Sequence, residues 1–436
     1  MARQPAIKIR AVYIFPRFGT KPVISESFVK RDIYLFLVPL SMRAALIIPK
    51  TVRAKHPMIY CVPQTLGQLA AVTPEDVELT TIDENVQDIE GDFDLVGISV
   101  RTQAVPRAVE LTRELQRKGS TVVWGGIHPT GLYHARELDV SADAVGVGAG
   151  ERLWPEIIRD FQKGELRPVY RAQGTPPIVH PLRDVFDYDV PYLIDSVSTS
   201  RGCKYADCSF CSLPLVHGKG FVNYSPDWVG EELADARDRI LIADDNFMNR
   251  PQPTLEAVLA RMEASGKRFC VQLDPHSATN DWLPAALFDA GVRVAMVAFE
   301  SVNPENFARS HKYVEPARWE GIIERFNDAG IAVDGSFVLG LAYDREDVFG
   351  RTADMVCAIG LRMAGVHIAT PYPGTPFYAD CVQQKALLHR DWSRYDCRHA
   401  VFRHPSISPD VLEAGRKLVV SACAGGFYAG SGDIFS

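Results

Sequence analysis

The sequence predicts an α/β protein built as two parallel-sheet units, the first doubly wound and Rossmann-like, the second a partial (β/α)6 TIM-like barrel, followed by a C-terminal extension. Two observations lead there. Short apolar runs alternate with amphipathic segments along most of the 436 residues, which is the alternation that builds parallel sheets. It lapses into the proline- and glycine-rich "GELRPVYRAQGTPPIVHPLRDVFDYDVP", the composition of a surface linker. The units are therefore expected at 1–165 and 195–380, with a linker at 166–194 and an extension at 381–436. A chain of this length exceeds one ordinary core.

In the first unit, "IKIRAVYIF" (7–15) is a β-branched and aromatic run and "TLGQLAAVT" (65–73) has helical apolar spacing. "VELTTID" (77–83), "DLVGISV" (94–100), "TVVWGG" (121–126) and "DAVGVG" (143–148) are strand-like, several ending in glycine. "AVPRAVELTRELQRKG" (104–119) keeps its apolar residues on one helical face and stops at Gly119. Ligands of such sheets sit at the carboxyl ends of the strands, where Gly125, Gly126 and the "GVGAGE" run at 146–151 fall.

In the second unit the expected strands are "DSVSTSR" (195–201), "RILIAD" (239–244), "RFCVQLD" (268–274), "VRVAMVAFE" (292–300), "IAVDGSFVLG" (331–340) and "GVHIATPY" (365–372). Helical segments such as "TLEAVLARMEASG" (254–266) and "RWEGIIERFNDAG" (318–330) separate them. Six such repeats suit a partial barrel better than an open sheet.

A composition of 47% hydrophobic and 23% charged residues with a formal charge of −7 describes an ordinary globular protein and gives no reason to expect nucleic acid as a partner. The N-terminus lacks the apolar core and cleavage site of a secretory signal. The most apolar stretch, "IYLFLVPLSMRAALIIP", is broken by Pro39 and Arg43 and falls short of a membrane span. The expectation is a cytoplasmic protein with reduced thiols.

Of nine cysteines, Cys61, Cys270, Cys357, Cys381, Cys397 and Cys423 are scattered and read as small buried hydrophobes. Cys203, Cys208 and Cys211, in "SRGCKYADCSFCSLP", lie within nine residues after the first strand of the second unit. Three close thiolates ligate a metal or an iron–sulfur cluster. A zinc site would need a fourth ligand, for which His217 is the nearest candidate.

The cysteine segment resembles the cluster loop of the radical S-adenosylmethionine (radical SAM) enzymes, which read C-x3-C-x2-C with an aromatic before the last cysteine. Here the spacing is C-x4-C-x2-C, with Phe210 as the aromatic. "LIADDNFMN" (241–249), "VAFESVNPENF" (297–307), "GSFVLGL" (335–341) and "TPYPGTPFY" (370–378) resemble later barrel strands of the subgroup with an N-terminal cobalamin (B12)-binding domain. "FPR", "LGQLAAVTP", "LVGISV", "WGGIHPT" and "GVGAGE" follow the order of that domain.

The resemblance implies a [4Fe–4S] cluster on the three cysteines, with one iron free for S-adenosylmethionine. It implies reductive cleavage of that cofactor to a 5′-deoxyadenosyl radical, and cobalamin-dependent methylation of an unactivated carbon of a small biosynthetic intermediate. It also implies an external electron donor of flavodoxin or ferredoxin type. A cobalamin-independent dehydratase, decarboxylase, oxidase or cyclase is the alternative, motivated by "GVGAGE", where the family's G-E-G-E pattern keeps Glu151. A non-catalytic metal-binding or sensor protein is the reading from another class. D-x-H-x-x-G, whose histidine ligates cobalt in other cobalamin domains, is absent from the chain.

By the same resemblance Phe210, Glu300 and one of Asp244 and Asp245 contact S-adenosylmethionine, the choice between the aspartates being open. Ser99, Gly125, Gly126 and Glu151 are the expected cobalamin contacts. Asp274 and His276, where the third barrel strand ends, are candidates for proton transfer or for lining the pocket, with a turn Asp and a satisfied His as the structural alternative. Tyr372 and Thr375 either face the pocket or belong to a turn.

Overall fold

The computed structural model describes residues 41–51, 61–172, 177–186, 194–306 and 313–422. Its first sheet is made of β1 (Met42–Ile48), β2 (Val77–Asp83), β3 (Leu95–Ser99), β4 (Thr121–Gly125), β5 (Ala144–Val147) and β6 (Val169–Arg171). They lie in the order β2-β1-β3-β4-β5-β6, all parallel. The order reverses between β1 and β3, which opens a crevice beyond their carboxyl ends. β1 is the second half of the broken apolar stretch: Ala44, Ala45, Leu46 and Ile47 are buried because the strand is covered on both faces. The strand expected at 7–15 lies outside the described residues. β6 falls inside the stretch expected to be linker.

Each face of this sheet has its own core. Helix Val105–Arg117 buries Val105, Ala108, Leu111, Thr112 and Leu115 at three- and four-residue spacing, against Val96, Ile98, Val122 and Trp124. Helix Gly150–Lys163 packs Leu153, Trp154, Ile157 and Ile158 against Leu46, Leu95 and Val123 on the other face. Trp124 and Trp154 each donate the indole N–H to a threonine, Thr112 at 2.8 Å and Thr73 at 2.9 Å, so neither buries an unpaired polar atom.

The second sheet contains β7 (Asp195–Val197), then, after the hairpin of β8 (Ser200–Cys203) and β9 (Gly220–Asn223), β10 (Arg239–Ile242), β11 (Arg268–Leu273), β12 (Val292–Glu300), β13 (Ala332–Leu339) and β14 (Met363–Ile368). Six parallel strands follow one another in chain order from β7 to β14, leaving out the antiparallel β8–β9 pair. That is the partial barrel. Helices Gln252–Ser265, Trp319–Asp328 and Asp347–Ala358 cover its outside. Inside, Ile194, Cys270 and Val294 form an apolar plug with Cys61, Leu241 and Met296.

Among the described residues β14 ends the sheet. Helix Pro409–Ala422, in the C-terminal extension, covers that edge, and Arg416 Nε donates to Val366 O at 2.8 Å. No described helix is long and apolar enough to cross a membrane.

Candidate active site

The expected first barrel strand, 195–201, is two strands. After β7 the chain turns at Ser198 and Thr199 and leaves the barrel as β8, which pairs with β9. Asp244 holds this bend. Its Oδ1 accepts from Thr199 N (2.6 Å) and Ser200 N (2.9 Å), and its Oδ2 accepts from both hydroxyls and from Arg250 Nη2 at 2.7 Å. Every acceptor position is taken and the side chain is wholly buried, so Asp244 works from behind the site. Asp245, half-buried, accepts Gly202 N–H at 2.8 Å. Burial, with Asp244 close by, pushes its carboxyl up to about 6. Of the two aspartates, Asp245 is the one beside the cysteines.

Cys203, Cys208 and Cys211 line one recess with Gly202, Ala206, Leu213, Pro214 and Gly218. Cys208 O accepts Cys211 N–H at 3.0 Å. Gly202 lies in the left-handed region at φ +84°, and a Cβ there would stand 2.4 Å from Gly220 O. Only glycine lets the hairpin close beside Cys203. Asn249 brackets that cysteine: its Nδ2 donates to Gly202 O at 2.6 Å and its Oδ1 accepts Lys204 N–H at 2.9 Å.

Burial, together with the neighbouring Cys208 and Cys203, pushes the Cys211 thiol up to about 11. A cationic centre between the thiols reverses that preference. Among the described residues no three His, Cys, Asp or Glu side chains stand close enough to hold a single metal ion. Thiolates ligating separate corners of an iron–sulfur cluster need not converge on one point. His217 is half-buried beside Arg201, and its pKa is lowered by desolvation and by that guanidinium.

The arc between the first two cysteines is anchored to the end of β11. Asp274 accepts Tyr205 Oη at 2.9 Å, Ser277 N at 2.8 Å, Ser277 Oγ at 2.6 Å and Asn246 Nδ2 at 2.9 Å, with Lys204 Nζ at 3.4 Å. Burial alone would raise this carboxyl. Lys204, Ser277 and Asn246 outweigh it and hold the group below the usual carboxylate range. A carboxylate so occupied is poorly suited to accept a proton. The His276 side chain is exposed, and its carbonyl accepts from Thr279.

Glu300 ends β12 at φ +66°, where the register with β13 shifts, and is 9% exposed. A left-handed, non-glycine residue at the mouth of a barrel is backbone strain of the kind that gathers at functional sites. Phe210 is half-buried, and Ser209 O beside it accepts Phe377 N–H at 2.9 Å, tying the cysteine loop to the chain after β14. Thr375 caps helix Pro376–Gln383 through Tyr378 N–H, the turn reading of "PGTP". Tyr372 Oη is 3.2 Å from Tyr395 O and 3.2 Å from Cys397 Sγ. Of the other cysteines Cys270 and Cys381 are buried, but Cys357 is exposed and Cys61 and Cys397 are half-exposed. Cys423 lies outside the described residues.

In the first sheet a second cavity, open to solvent, lies at the carboxyl ends of β1, β3, β4 and β5, lined by Ser99, Gly125, Gly126, Gly148, Gly150 and Trp154 among others. A Cβ on Gly126 (φ +95°) would stand 3.0 Å from Val100 N and O, whereas one on Gly125 would meet nothing within 4 Å. The glycines thus keep the cavity open and its wall thin, which fits the tail of a large ligand. Glu151 is not in that wall. Its Oε1 pairs with Arg201 Nη1 on β8 at 2.6 Å, so its carboxylate reaches the cysteine hairpin. Arg201 and Asn249 were not singled out from the sequence. The one available signal was their position in the two segments that frame the cysteines.

No protein-family model matches the chain. Bacteriochlorophyllide d C-12(1)-methyltransferase of Chlorobaculum tepidum is 26% identical over 371 residues, covering 80% of this chain and 80% of that protein. In structure the chain is similar to the radical S-adenosylmethionine methyltransferase TsrM of Kitasatospora setae, solved with cobalamin and a [4Fe–4S] cluster (TM-score 0.62, 18% identity, 79% of this chain and 78% of that one). It is also similar to the cobalamin-dependent S-adenosylmethionine radical enzyme OxsB (TM-score 0.61, 13% identity, 87% of this chain and 66% of that one).

Proposed function

We infer that this chain, a member of the radical SAM enzymes that carry an N-terminal cobalamin-binding domain, is a methyltransferase acting on an unactivated carbon of a small biosynthetic intermediate. The observation that carries this reading is the pairing of two sites in one chain: a three-thiol recess at the barrel mouth and a glycine-walled cavity at the carboxyl edge of a doubly wound sheet. The Chlorobaculum relative is a methyltransferase of bacteriochlorophyllide d. For this chain the substrate is proposed only as a class.

Cys203, Cys208 and Cys211 are the proposed ligands of a [4Fe–4S] cluster, with Phe210, Asp245 and Glu300 at the S-adenosylmethionine site and Ser99, Gly125 and Gly126 around the cobalamin tail. When bound, these cofactors supply the one-electron chemistry and the methyl group. The protein's share is to hold the thiols at fixed spacing, to orient S-adenosylmethionine and to keep water from the barrel mouth. Asp244 and Asp274 are proposed to act by positioning, and no role is proposed for His276. The reading further includes the domain division at 166–194, a cytoplasmic setting and an external donor of flavodoxin or ferredoxin type.

The test is anaerobic reconstitution with iron, sulfide and hydroxocobalamin. About four irons and one corrin per chain, both surviving gel filtration, are expected. Protein that takes up iron but never retains corrin overturns the methyltransferase reading.

A further inference from the structure

The two proposed cofactor sites are joined by a buried ion pair. Glu151 opens helix Gly150–Lys163, directly after the glycines that line the first-sheet cavity. Arg201 lies on β8, two residues before Cys203. Their side chains are 8% and 13% exposed and their charged atoms are 2.6 Å apart. The next residue, Gly202, donates its N–H to Asp245. A connected path therefore runs from the cavity wall through Glu151, Arg201 and Gly202 to Asp245 and Cys203. Tyr224 and His217 flank Arg201.

We propose that Glu151 and Arg201 are positioning residues that couple the two sites, so that a ligand in the glycine-walled cavity changes the affinity for S-adenosylmethionine at the thiol recess. The proposal rests on the methyltransferase reading. Its physical basis is that an exposed pair is slack and screened, whereas a buried pair has few geometries open to it, because parting leaves two uncompensated charges. A shift of the helix start is then passed to β8 rather than absorbed. Coupling of this kind is reciprocal, so the adenosyl ligand changes corrin affinity by the same factor.

The test measures binding rather than turnover. S-adenosylhomocysteine is titrated into cluster-reconstituted, full-length protein with and without hydroxocobalamin, in wild type, Glu151→Gln, Arg201→Lys and the charge exchange Glu151→Arg with Arg201→Glu. Wild type is expected to show a change in affinity of about 5-fold or more on corrin binding. Glu151→Gln and Arg201→Lys each bring the ratio near one, and the exchange restores part of it. Iron content and the thermal midpoint, measured for each variant, report whether it has folded.

Coupling that is absent in wild type, or that persists in both single variants, overturns the proposal. So does weakened corrin binding in Glu151→Gln alone, which would make Glu151 a direct corrin contact. Wild-type protein without corrin uptake sinks the methyltransferase reading and this inference with it; uptake without coupling sinks this inference alone.

Discussion

Asp274, at the end of β11, accepts the Tyr205 hydroxyl at 2.9 Å, which fixes the arc between Cys203 and Cys208 to the barrel. The arc is one residue longer than the common spacing and carries Ala206 at φ +43°, a conformation that costs a non-glycine residue about 1–2 kcal/mol. Ala206→Gly is expected to raise the thermal midpoint with iron content unchanged. Tyr205→Phe is expected to lose about 1 kcal/mol and to release iron faster to a chelator. Deleting Ala206 would pull Tyr205 from Asp274, so lower iron content is expected; full loading with wild-type chelator resistance would show the anchor to be irrelevant.

Asp244 and Arg250 are both wholly buried side chains in contact. Asp244→Ala strands the guanidinium and frees the donors that shape the β7–β8 bend. A loss of about 3–5 kcal/mol in denaturant unfolding of the full chain is expected. Asp244→Asn, which keeps an acceptor for the Thr199 amide, is expected to lose less. Equal losses would mean that charge, not the bend, dominates.

Gly125 and Gly126 are expected to respond oppositely to alanine. A Cβ on Gly125 enters open space, so Gly125→Ala is expected to fold normally and to weaken corrin binding. Gly126→Ala is expected to destabilise the first sheet by about 1–3 kcal/mol, because its φ of +95° is unfavourable and its Cβ abuts Val100. Thermal midpoints and corrin titrations separate the two effects.

His128 is 1% exposed, lies 3.3 Å from Thr102 Oγ1 and stands edge-on to Trp392 at 5.0 Å. Burial lowers its pKa to about 4, so between that value and 6.5 the unfolded chain binds the proton and the folded chain does not. The stability it contributes is whole above pH 6.5 and is lost as pH falls toward 4. The drop is of order 3 kcal/mol. His128→Gln should flatten the difference in unfolding midpoint between pH 4.5 and pH 7; an unchanged difference would assign the acid sensitivity elsewhere.

Most strands, and helices such as Val105–Arg117, Gln252–Ser265 and Trp319–Asp328, were legible because apolar runs and helical spacing are local signals. β10 to β14 fall within or beside the expected runs, and the three cysteines share one recess as their spacing suggested. β1 was harder to read: a strand buried on both faces has no alternation, and its run continued into an apolar stretch resembling part of a membrane segment. At 195–201 seven residues of uniform β character conceal a bend imposed by Asp244, more than forty residues downstream.

By itself the sequence determined the α/β class, the order of its units and the thiols at the end of the first barrel strand. These depend on neighbours along the chain, whose spacing a helix or strand converts directly into a face or an edge. Tertiary structure decided which polar residues meet. It buried Asp244 in the β7–β8 bend, set Asp245 on the Gly202 amide beside Cys203, occupied Asp274 with anchoring, and paired Glu151 with Arg201. Such choices rest on which donors lie within about 3 Å in space, and a buried carboxylate takes the partners that folding brings to it.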